Sequence, residues 1–254
     1  MKVYLATHGC RANQYDSAAV RAMLEAAGHE IAADPALAES AVFNSCSVTA
    51  EAEADLRQAV RRAARGNPAL RTVVMGCAAA LDRGAIAALP TVHRVIGGAP
   101  LAEVAAALGI DPAFAGARAE KQSGARALLR IQDGCDEHCT FCATTLARGA
   151  SRSRPTAELV EEARRLAEHH AEIVLTGVHI GSYGAERGSS LGALLETLVA
   201  RVPAVRFRLS SVEATELDDR LIGLLTGDAR RVAPWLHAPL QSGSDAVYLS
   251  LIHI

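Results

Sequence analysis

Six cysteines are the residues of this 254-residue chain with the clearest capacity for chemistry. Three of them, Cys135, Cys139 and Cys142, fall within the stretch GCDEHCTFC, whose C-x3-C-x2-C spacing places three thiols in one tight loop. Thiolates in such a loop can each bind a different iron of a cubane cluster. A zinc site would need a fourth ligand, and His138 is poorly placed to supply it. A C-x-x-C redox pair would leave Cys135 unexplained, so the spacing favours an iron–sulfur cluster over both alternatives.

The other three cysteines, Cys10, Cys46 and Cys77, are far apart in the sequence but occupy equivalent positions. They follow the strand-like segments VYLATHG, AVFNS and TVVMG. The carboxyl ends of parallel strands meet at one edge of a sheet, where ligand sites form. We therefore expect the three thiols to converge and to bind a metal centre. The alternative is that they are three small buried hydrophobic side chains, which is the usual state of a lone cytosolic cysteine.

The elements that must position these cysteines are short β-branched strands that alternate with amphipathic helices. This alternation predicts an α/β fold, with a doubly wound parallel sheet and helices on both of its faces. The first part has predicted strands at 3–6, 41–44, 72–75 and 93–96 and predicted helices at 14–27, 50–65, 78–88 and 101–108. The second part has predicted strands at 127–131, 173–175, 205–209 and near 235–237 and predicted helices at 157–169, 191–200 and 218–225.

The two parts are separated by the segment DPAFAGARAEKQSG, in which the periodicity fades. We interpret 111–124 as a linker between one domain at 1–110 and a second at 125–246. Thr49 has the side chain expected at the start of a helix, and Gly28 is placed to end one.

Composition limits the class of protein. Half of the residues are apolar, and the formal net charge is −2, so no global charge indicates nucleic acid or an anionic membrane as partner. The beginning, MKVYLATHGC, predicts a strand rather than a signal peptide, and no apolar run is long enough to span a bilayer. We therefore expect a cytoplasmic protein without a membrane partner, in which the cysteines are not paired in disulfides.

Beyond their spacing, the cysteine motifs resemble those of the radical S-adenosylmethionine methylthiotransferases. CDEHCTFC, with the aromatic Phe141 before the last cysteine, resembles the cluster loop of that family, and ATTLARGASRSRP resembles the segment after that loop. THGCRANQYDS, NSCSVTAEAEADLRQ and VVMGCAAA resemble the three cysteine segments of its amino-terminal domain. The chain departs from the family at ATTL, where aliphatic residues, proline and an aromatic are commoner, and at GCAAA, where Gly-Cys-Tyr-Ala-Gln is usual. The resemblance extends from Lys2 to about Asp245.

The resemblance implies a second domain built as a radical S-adenosylmethionine (β/α) barrel and two [4Fe–4S] clusters. Cys135, Cys139 and Cys142 would hold the cluster that binds S-adenosylmethionine and cleaves it reductively to a radical. Cys10, Cys46 and Cys77 would hold an auxiliary cluster whose open iron binds the sulfur to be donated. The reaction replaces a C–H bond with C–S–CH3. Further residues expected at the cofactor are Phe141, Gly177, Ser211 and Gln241.

The resemblance also implies partners. The segments IVLTGVHIGSYG and FRLSSVEATELDD resemble the enzymes that methylthiolate C2 of N6-threonylcarbamoyladenosine at position 37 of transfer RNA, in the anticodon loop. An electron donor such as flavodoxin or ferredoxin and an unidentified sulfur donor are further implied. We expect Arg148, Arg152 and Arg154 to contact RNA or cofactor.

Three alternatives to this function remain, of which two are other substrates. Enzymes for N6-isopentenyladenosine usually carry Gly-Gln-Asn where this chain has Gly177-Val178-His179, and enzymes for a ribosomal protein carry Pro-Lys-Asn after the first cysteine. The third alternative, from another class, is a non-catalytic metal-binding module in which the cysteines only stabilise the fold.

The end of the sequence departs from the resemblance. After Asp245 the chain continues as AVYLSLIHI, where the family has a basic helix. We expect 247–254 to be non-native sequence and the barrel to be cut short. The resulting hypothesis is that this chain is inactive on RNA although both cluster motifs are intact.

Overall fold

The computed structural model describes residues 1–47, 49–119 and 121–251. The chain forms two compact units, of which the first comprises Met1–Ala119 together with Leu146–Arg148. The second unit takes the rest of the described chain. Within the segment predicted as a linker, Pro112–Gly116 forms a 3-10 helix whose first turn is capped by the carboxylate of Asp111. Glu120 lies outside the described residues, and the predicted domain limits stay a prediction.

The first unit contains a five-stranded parallel sheet in the order β2-β1-β3-β4-β5, as the alternation of strands and helices predicts. Its strands are β1 Lys2–Thr7, β2 Glu30–Ala32, β3 Ser40–Ser45, β4 Arg71–Gly76 and β5 Val92–Gly97. Its helices are α1 Arg11–Ala26, α2 Ala50–Gly66, α3 Cys77–Ala80 and α4 Leu101–Leu108. The prediction missed β2, because three residues are too few to show a periodicity.

Helices cover both faces of this sheet. Successive residues of a strand point to opposite faces. Accordingly Val42 packs in an apolar layer with Met23 of α1, whereas Phe43 packs in a second layer with Leu56 of α2. Burial of two apolar layers fixes the strand register, because a shift by one residue would exchange them.

Local signals correctly predict two helix ends, the start of α2 and the end of α1, but the predicted end of α3 is wrong. The Thr49 hydroxyl accepts the N–H of Ala52 at 3.1 Å at the start of α2, and Gly28 ends α1 with a φ of 75°. The helix predicted at 78–88 is wrong, because α3 ends at Ala80. The carboxylate of Asp82 accepts the N–H of Ile86 at 2.9 Å, which satisfies the backbone without a helix.

The second unit contains a three-stranded parallel sheet in the order β10-β9-β6 and a two-stranded antiparallel pair of β7 with β8. Its strands are β6 Ala127–Arg130, β7 Gln132–Asp133, β8 Arg152–Ser153, β9 Glu172–Thr176 and β10 Arg206–Leu209. The α-helices that follow α4 in the described part of the chain are α5 Thr144–Arg148, α6 Thr156–Ala167, α7 Leu191–Arg201, α8 Asp219–Thr226 and α9 Asp245–Leu251.

Helix α6 lies between β6 and β9 in the chain, α7 lies between β9 and β10, and α8 follows β10, which is the alternation of a (β/α) barrel. The largest buried side chains of this core include Leu129, Leu159, Ile173 and Phe207. The strand predicted near 235–237 is wrong, since His237 forms only an isolated bridge with Ser211. No helix in the described part of the chain is long and apolar enough to cross a bilayer.

Candidate functional site

The first three cysteines follow three neighbouring strands of the five-stranded sheet. Cys10 directly precedes α1 after β1, Cys46 directly follows β3, and Cys77 is the first residue of α3 after β4. Burial raises the pKa of the Cys77 thiol; Arg148 opposes this rise, whereas charge on Cys10 and Cys46 adds to it. An electrostatic effect among the thiols requires that they lie near one another. We call this set the first triad.

A glycine allows two of these loops to approach closely. Gly9 has a φ of 112°, and a Cβ added there would lie 2.7 Å from Cβ of Cys46. Only a residue without a side chain fits both the backbone conformation and the contact. The glycine before Cys10 therefore brings that loop against Cys46.

Buried polar side chains tie the loops of the first triad to one another. Asn13 is fully buried, and its amide donates to the carbonyl of His8 at 2.9 Å and to that of Ser45 at 2.7 Å. These two bonds join the backbone before Cys10 to the backbone before Cys46.

Ser45 makes the corresponding connection to the third loop. Its hydroxyl donates to the carbonyl of Met75 at 2.5 Å and accepts the N–H of Ala79 at 3.1 Å. Both partners lie within two residues of Cys77. The three loops are thus held by side-chain bonds to backbone, independently of any metal.

Arg148, for which the sequence predicts contact with RNA or cofactor, lies beside the first triad. Its side chain is 3% exposed, and Nε donates to Sγ of Cys77 at 3.3 Å. Nη2 donates to Oδ1 of Asn13 at 2.8 Å and to Oδ2 of Asp16 at 3.0 Å. A guanidinium that is buried and paired in this way does not present its N–H groups to solvent, and contact of Arg148 with RNA or cofactor stays a prediction.

The other two arginines of this stretch differ in exposure. Arg154 pairs with the carboxylate of Glu162 at 2.8 Å and donates to the carbonyl of Arg130 at 3.0 Å. Arg152 is exposed and donates to the carbonyl of Ala150 at 3.2 Å. Of the three, Arg152 is the side chain that presents its surface to solvent, and its contact with RNA stays a prediction.

The second set, Cys135, Cys139 and Cys142, lies in the loop after β7 and is called the second triad. Gly134 turns the chain into this loop with a φ of 73°, and a Cβ added there would collide with the carbonyl oxygen of Ala150. The N–H of Cys135 donates to the carbonyl of Gly149 at 3.0 Å. The close approach of two backbone segments at this point requires glycine.

Backbone N–H groups in the second triad point at sulfur. The N–H of Glu137 donates to Sγ of Cys135 at 3.4 Å, and that of Thr144 donates to Sγ of Cys142 at 3.5 Å. Burial raises the pKa of Cys135 and of Cys139, and the neighbouring thiols contribute to both shifts. Donors of this kind stabilise negative charge on the sulfur of a ligand.

Gln132 joins the second triad to the loop that follows β9, and sequence reasoning missed it. The side chain is fully buried. Its amide donates to the carbonyl of Gly134 at 2.6 Å, and its oxygen accepts the N–H of His179 at 2.9 Å and of Val178 at 3.1 Å. The available signal was a glutamine directly after the predicted strand ALLRI, where a buried amide needs several partners.

His179 and Glu216 also come from loops at the carboxyl ends of parallel strands. Nε2 of His179 lies 2.6 Å from Oε1 of Glu216, and Nδ1 lies 3.8 Å from Sγ of Cys135. The carboxylate raises the pKa of His179, although burial opposes the shift. Burial also opposes the shift of the partner, but the imidazole holds the pKa of Glu216 below its usual range.

The residues predicted at the cofactor fall into two groups. Gly177 lies beside the cysteine loop, since a Cβ added to it would come 2.7 Å from the carbonyl oxygen of Gln132. Phe141, Ser211 and Gln241 are exposed, and Phe141 is 55% exposed. Their roles at the cofactor stay predictions.

The donor set determines which metal group fits. Within residues 1–47, 49–119 and 121–251, no three histidine, cysteine, aspartate or glutamate side chains lie in an arrangement that would hold one metal ion. A cubane cluster does not need that arrangement, because each thiolate binds a different iron. Both triads offer three thiols and donors directed at sulfur, which are the groups that hold and tune iron–sulfur clusters.

Comparison with known families divides the chain in the same two parts. Residues 2–98 match the family described as "Uncharacterized protein family UPF0004", and residues 129–252 match the Radical SAM superfamily. The first triad lies in the first match and the second triad in the second.

Curated relatives match across both parts. A threonylcarbamoyladenosine tRNA methylthiotransferase MtaB of Bacillus subtilis is 34% identical over 95% of this chain and 58% of the relative. One of Rickettsia prowazekii is 32% identical over 96% of this chain and 59% of the relative. A tRNA-2-methylthio-N(6)-dimethylallyladenosine synthase of Erythrobacter litoralis is 32% identical over 94% of this chain and 58% of the relative. The chain therefore spans about three fifths of the length of these relatives.

Proposed function

Because the chain belongs to the family of radical S-adenosylmethionine methylthiotransferases, we propose that it carries both cluster-binding parts of an enzyme that methylthiolates transfer RNA. The proposed reaction is the attachment of a methylthio group to C2 of N6-threonylcarbamoyladenosine at position 37, in the anticodon loop. The activity is that of the whole enzyme, of which this chain spans about three fifths to judge by its relatives. The proposed location is the cytoplasm.

One observation carries this proposal: two separate triads of thiols, one in the loops that follow three parallel strands and one in the loop after β7, use all six cysteines. A module with a single structural metal would need only one such set. Membership of the radical SAM superfamily implies S-adenosylmethionine and one [4Fe–4S] cluster. We assign that cluster to Cys135, Cys139 and Cys142, and a second to Cys10, Cys46 and Cys77.

The two groups have distinct tasks in the proposed reaction. When bound, a cluster on the second triad supplies the electron for reductive cleavage of S-adenosylmethionine, and one on the first triad supplies an open iron for sulfur. Glu137 and Thr144 stabilise charge on the ligand sulfurs through their N–H groups. Gln132 connects the cysteine loop to the loop that carries His179 by hydrogen bonds to the backbone of both. An electron donor such as flavodoxin or ferredoxin and a sulfur donor are proposed partners.

The choice of nucleoside rests on the loop after β9. The stretch Gly177-Val178-His179 differs from the Gly-Gln-Asn usual in enzymes for N6-isopentenyladenosine, and His179 lies 3.8 Å from the Cys135 sulfur. The relatives named for threonylcarbamoyladenosine agree with this choice. The relative named for dimethylallyladenosine makes that nucleoside the second candidate.

The substrate is tested with a full-length gene that contains this sequence, in a bacterial strain deleted for its own methylthiotransferases. Mass spectrometry of transfer-RNA nucleosides is expected to show the methylthio form of N6-threonylcarbamoyladenosine. Appearance of methylthio-isopentenyladenosine alone would transfer the assignment to the second candidate. A methylthiolated ribosomal protein with unmodified RNA would contradict an RNA substrate altogether.

A further inference from the structure

We propose that Arg148 is a positioning residue of the first triad, which holds the Cys77 sulfur by an N–H bond and raises the reduction potential of the cluster bound there. This inference rests on the proposed function, because it requires that the first triad hold an iron–sulfur cluster. It gives the expected contact with RNA or cofactor a specific form, a hydrogen bond to a ligand sulfur of the cluster.

The first support is the position of Arg148 in the chain and in the structure. The residue follows the second triad by six positions in the sequence, yet the segment Leu146–Arg148 packs with the first unit. The Arg148 side chain is 3% exposed, and that of Asp16 is 1% exposed. A charged side chain is rarely buried so completely unless specific partners compensate it.

The second support is the direction of the three donors. Nη2 donates to Oδ2 of Asp16 and to Oδ1 of Asn13, at 3.0 Å and 2.8 Å. Nε donates to Sγ of Cys77 at 3.3 Å. These bonds fix the orientation of the guanidinium, so that one N–H is directed at sulfur.

The third support is the chemistry of the acceptor. A neutral thiol is a weak acceptor, and one Asp16 carboxylate already balances the charge of the guanidinium. A sulfur that ligates iron carries negative charge and is a much stronger acceptor for a charged N–H. The hydrogen bond from Arg148 to Cys77 therefore reaches its full strength only when the Cys77 sulfur ligates iron.

The effect on the cluster depends on charge. Reduction adds an electron to the cluster, and hydrogen bonds to its sulfurs and nearby positive charge stabilise the added negative charge. Groups that orient a ligand in this way commonly tune the metal as much as they hold the ligand. Arg148 should thus make the cluster of the first triad easier to reduce.

The experiment isolates that cluster. The full chain with Cys135, Cys139 and Cys142 replaced by alanine is reconstituted anaerobically with iron and sulfide, so that iron binds only at the first triad. Its midpoint potential is measured by electron paramagnetic resonance during a redox titration. Arg148→Met, Arg148→Lys and Asp16→Asn are compared with this parent, and Arg61→Met, on the exposed side of α2, is the control.

The expected shifts differ in sign. Arg148→Met should lower the midpoint potential, and Arg148→Lys should lower it less, because lysine keeps the charge but lacks the fork. Asp16→Asn should raise it, since the guanidinium is then uncompensated. Arg61→Met should leave it unchanged. A residue that served only to fill space would not produce shifts of opposite sign for the two partners of one ion pair.

Each other outcome is decisive. An unchanged midpoint potential in Arg148→Met with the parental iron content would overturn the role. Loss of iron from this variant with an unchanged far-ultraviolet circular dichroism spectrum supports the role. If Arg148→Met does not fold, Arg148→Lys decides, and a midpoint equal to that of the parent overturns it. Absence of iron from the parent itself would contradict the proposed function as well.

Discussion

Nε2 of His179 lies 2.6 Å from Oε1 of Glu216, and this contact joins the loop after β9 to the loop after β10. Both side chains are largely buried, at 18% and 17% exposure. The other nitrogen of the imidazole faces the sulfur of Cys135 at 3.8 Å. Glu216 thus fixes the orientation of a ring that borders the second triad.

The first prediction concerns this pair. Glu216→Ala should reduce S-adenosylmethionine cleavage by about 10–100-fold, the usual effect of removing a residue that orients groups around a metal site. The iron content of the second triad should fall with it, while that of the first triad stays. Glu196→Ala is the control, because Glu196 pairs on an exposed surface with Arg220 at 3.7 Å. An equal loss in both variants would contradict a specific role for Glu216.

The second prediction concerns the glycine that begins the cysteine loop. Gly134→Ala should destabilise the second unit by about 1–3 kcal/mol, because the new methyl group would meet the Ala150 carbonyl and the backbone has a positive φ. It should also remove iron from the second triad. Urea unfolding and iron analysis provide the two measurements. Gly223→Ala, where an added Cβ meets nothing within 4 Å, is the control. It should lower neither the free energy of unfolding nor the iron content.

The third prediction is a dependence of stability on pH. Burial alone would raise the pKa of Glu172, but hydrogen bonds from Arg208 and Arg206 hold this pKa below its usual range. A carboxyl group whose pKa is lowered by folding stabilises the protein above its unfolded pKa and loses this contribution as the pH falls through the folded one. Stability should therefore decline at acid pH, below the usual range of a glutamate carboxyl group.

Glu172→Gln tests this dependence. The variant should be about 1–3 kcal/mol less stable than the parent at pH 7, because it removes the charge of a buried carboxylate that pairs with Arg206 and Arg208. The difference should shrink as the pH falls below the usual carboxyl range. Denaturant unfolding from acid to neutral pH measures how the free energy of unfolding of the parent and of the variant depends on pH. Glu196→Gln serves as the exposed control. Parallel curves for parent and Glu172→Gln would contradict the assignment.

Much of the fold was predictable because the signals are local. The alternation of β-branched strands with amphipathic helices is sufficient to predict the parallel sheet, and Thr49 and Gly28 mark helix ends through their own backbone bonds. The helix predicted at 78–88 failed because Asp82 offers the backbone a competing bond that periodicity does not show. The strand predicted near 235–237 failed for a related reason, since His237 pairs at a single position.

The cysteines of the candidate site were predictable, but their supporting residues were not. Six thiols at strand ends can be recognised in the sequence, because residue type and spacing carry the chemistry. Gln132 and Asn13 act through bonds to backbone segments distant in the sequence, which no motif reveals. The sequence shows the charge of Arg148 but not its burial against Asp16.

The predicted tail shows a different limit. Val247–Leu251 belongs to α9, and the N–H of Thr140 in the cysteine loop donates to the carbonyl of Leu251 at 2.9 Å. Residues 252–254 lie outside the described part of the chain. That 247–254 is non-native sequence stays a prediction, since a helix and a hydrogen bond do not reveal the origin of a segment.

Iron and sulfide analysis decides whether this chain holds two iron–sulfur clusters with different functions. Anaerobically reconstituted protein should contain about eight irons and as many sulfides per chain, as expected for two four-iron clusters. Cys77→Ala and Cys139→Ala should each retain about half of the iron, and only Cys139→Ala should lose S-adenosylmethionine cleavage. Zinc in place of iron, or cleavage that persists in Cys139→Ala, would contradict the assignment of the two triads.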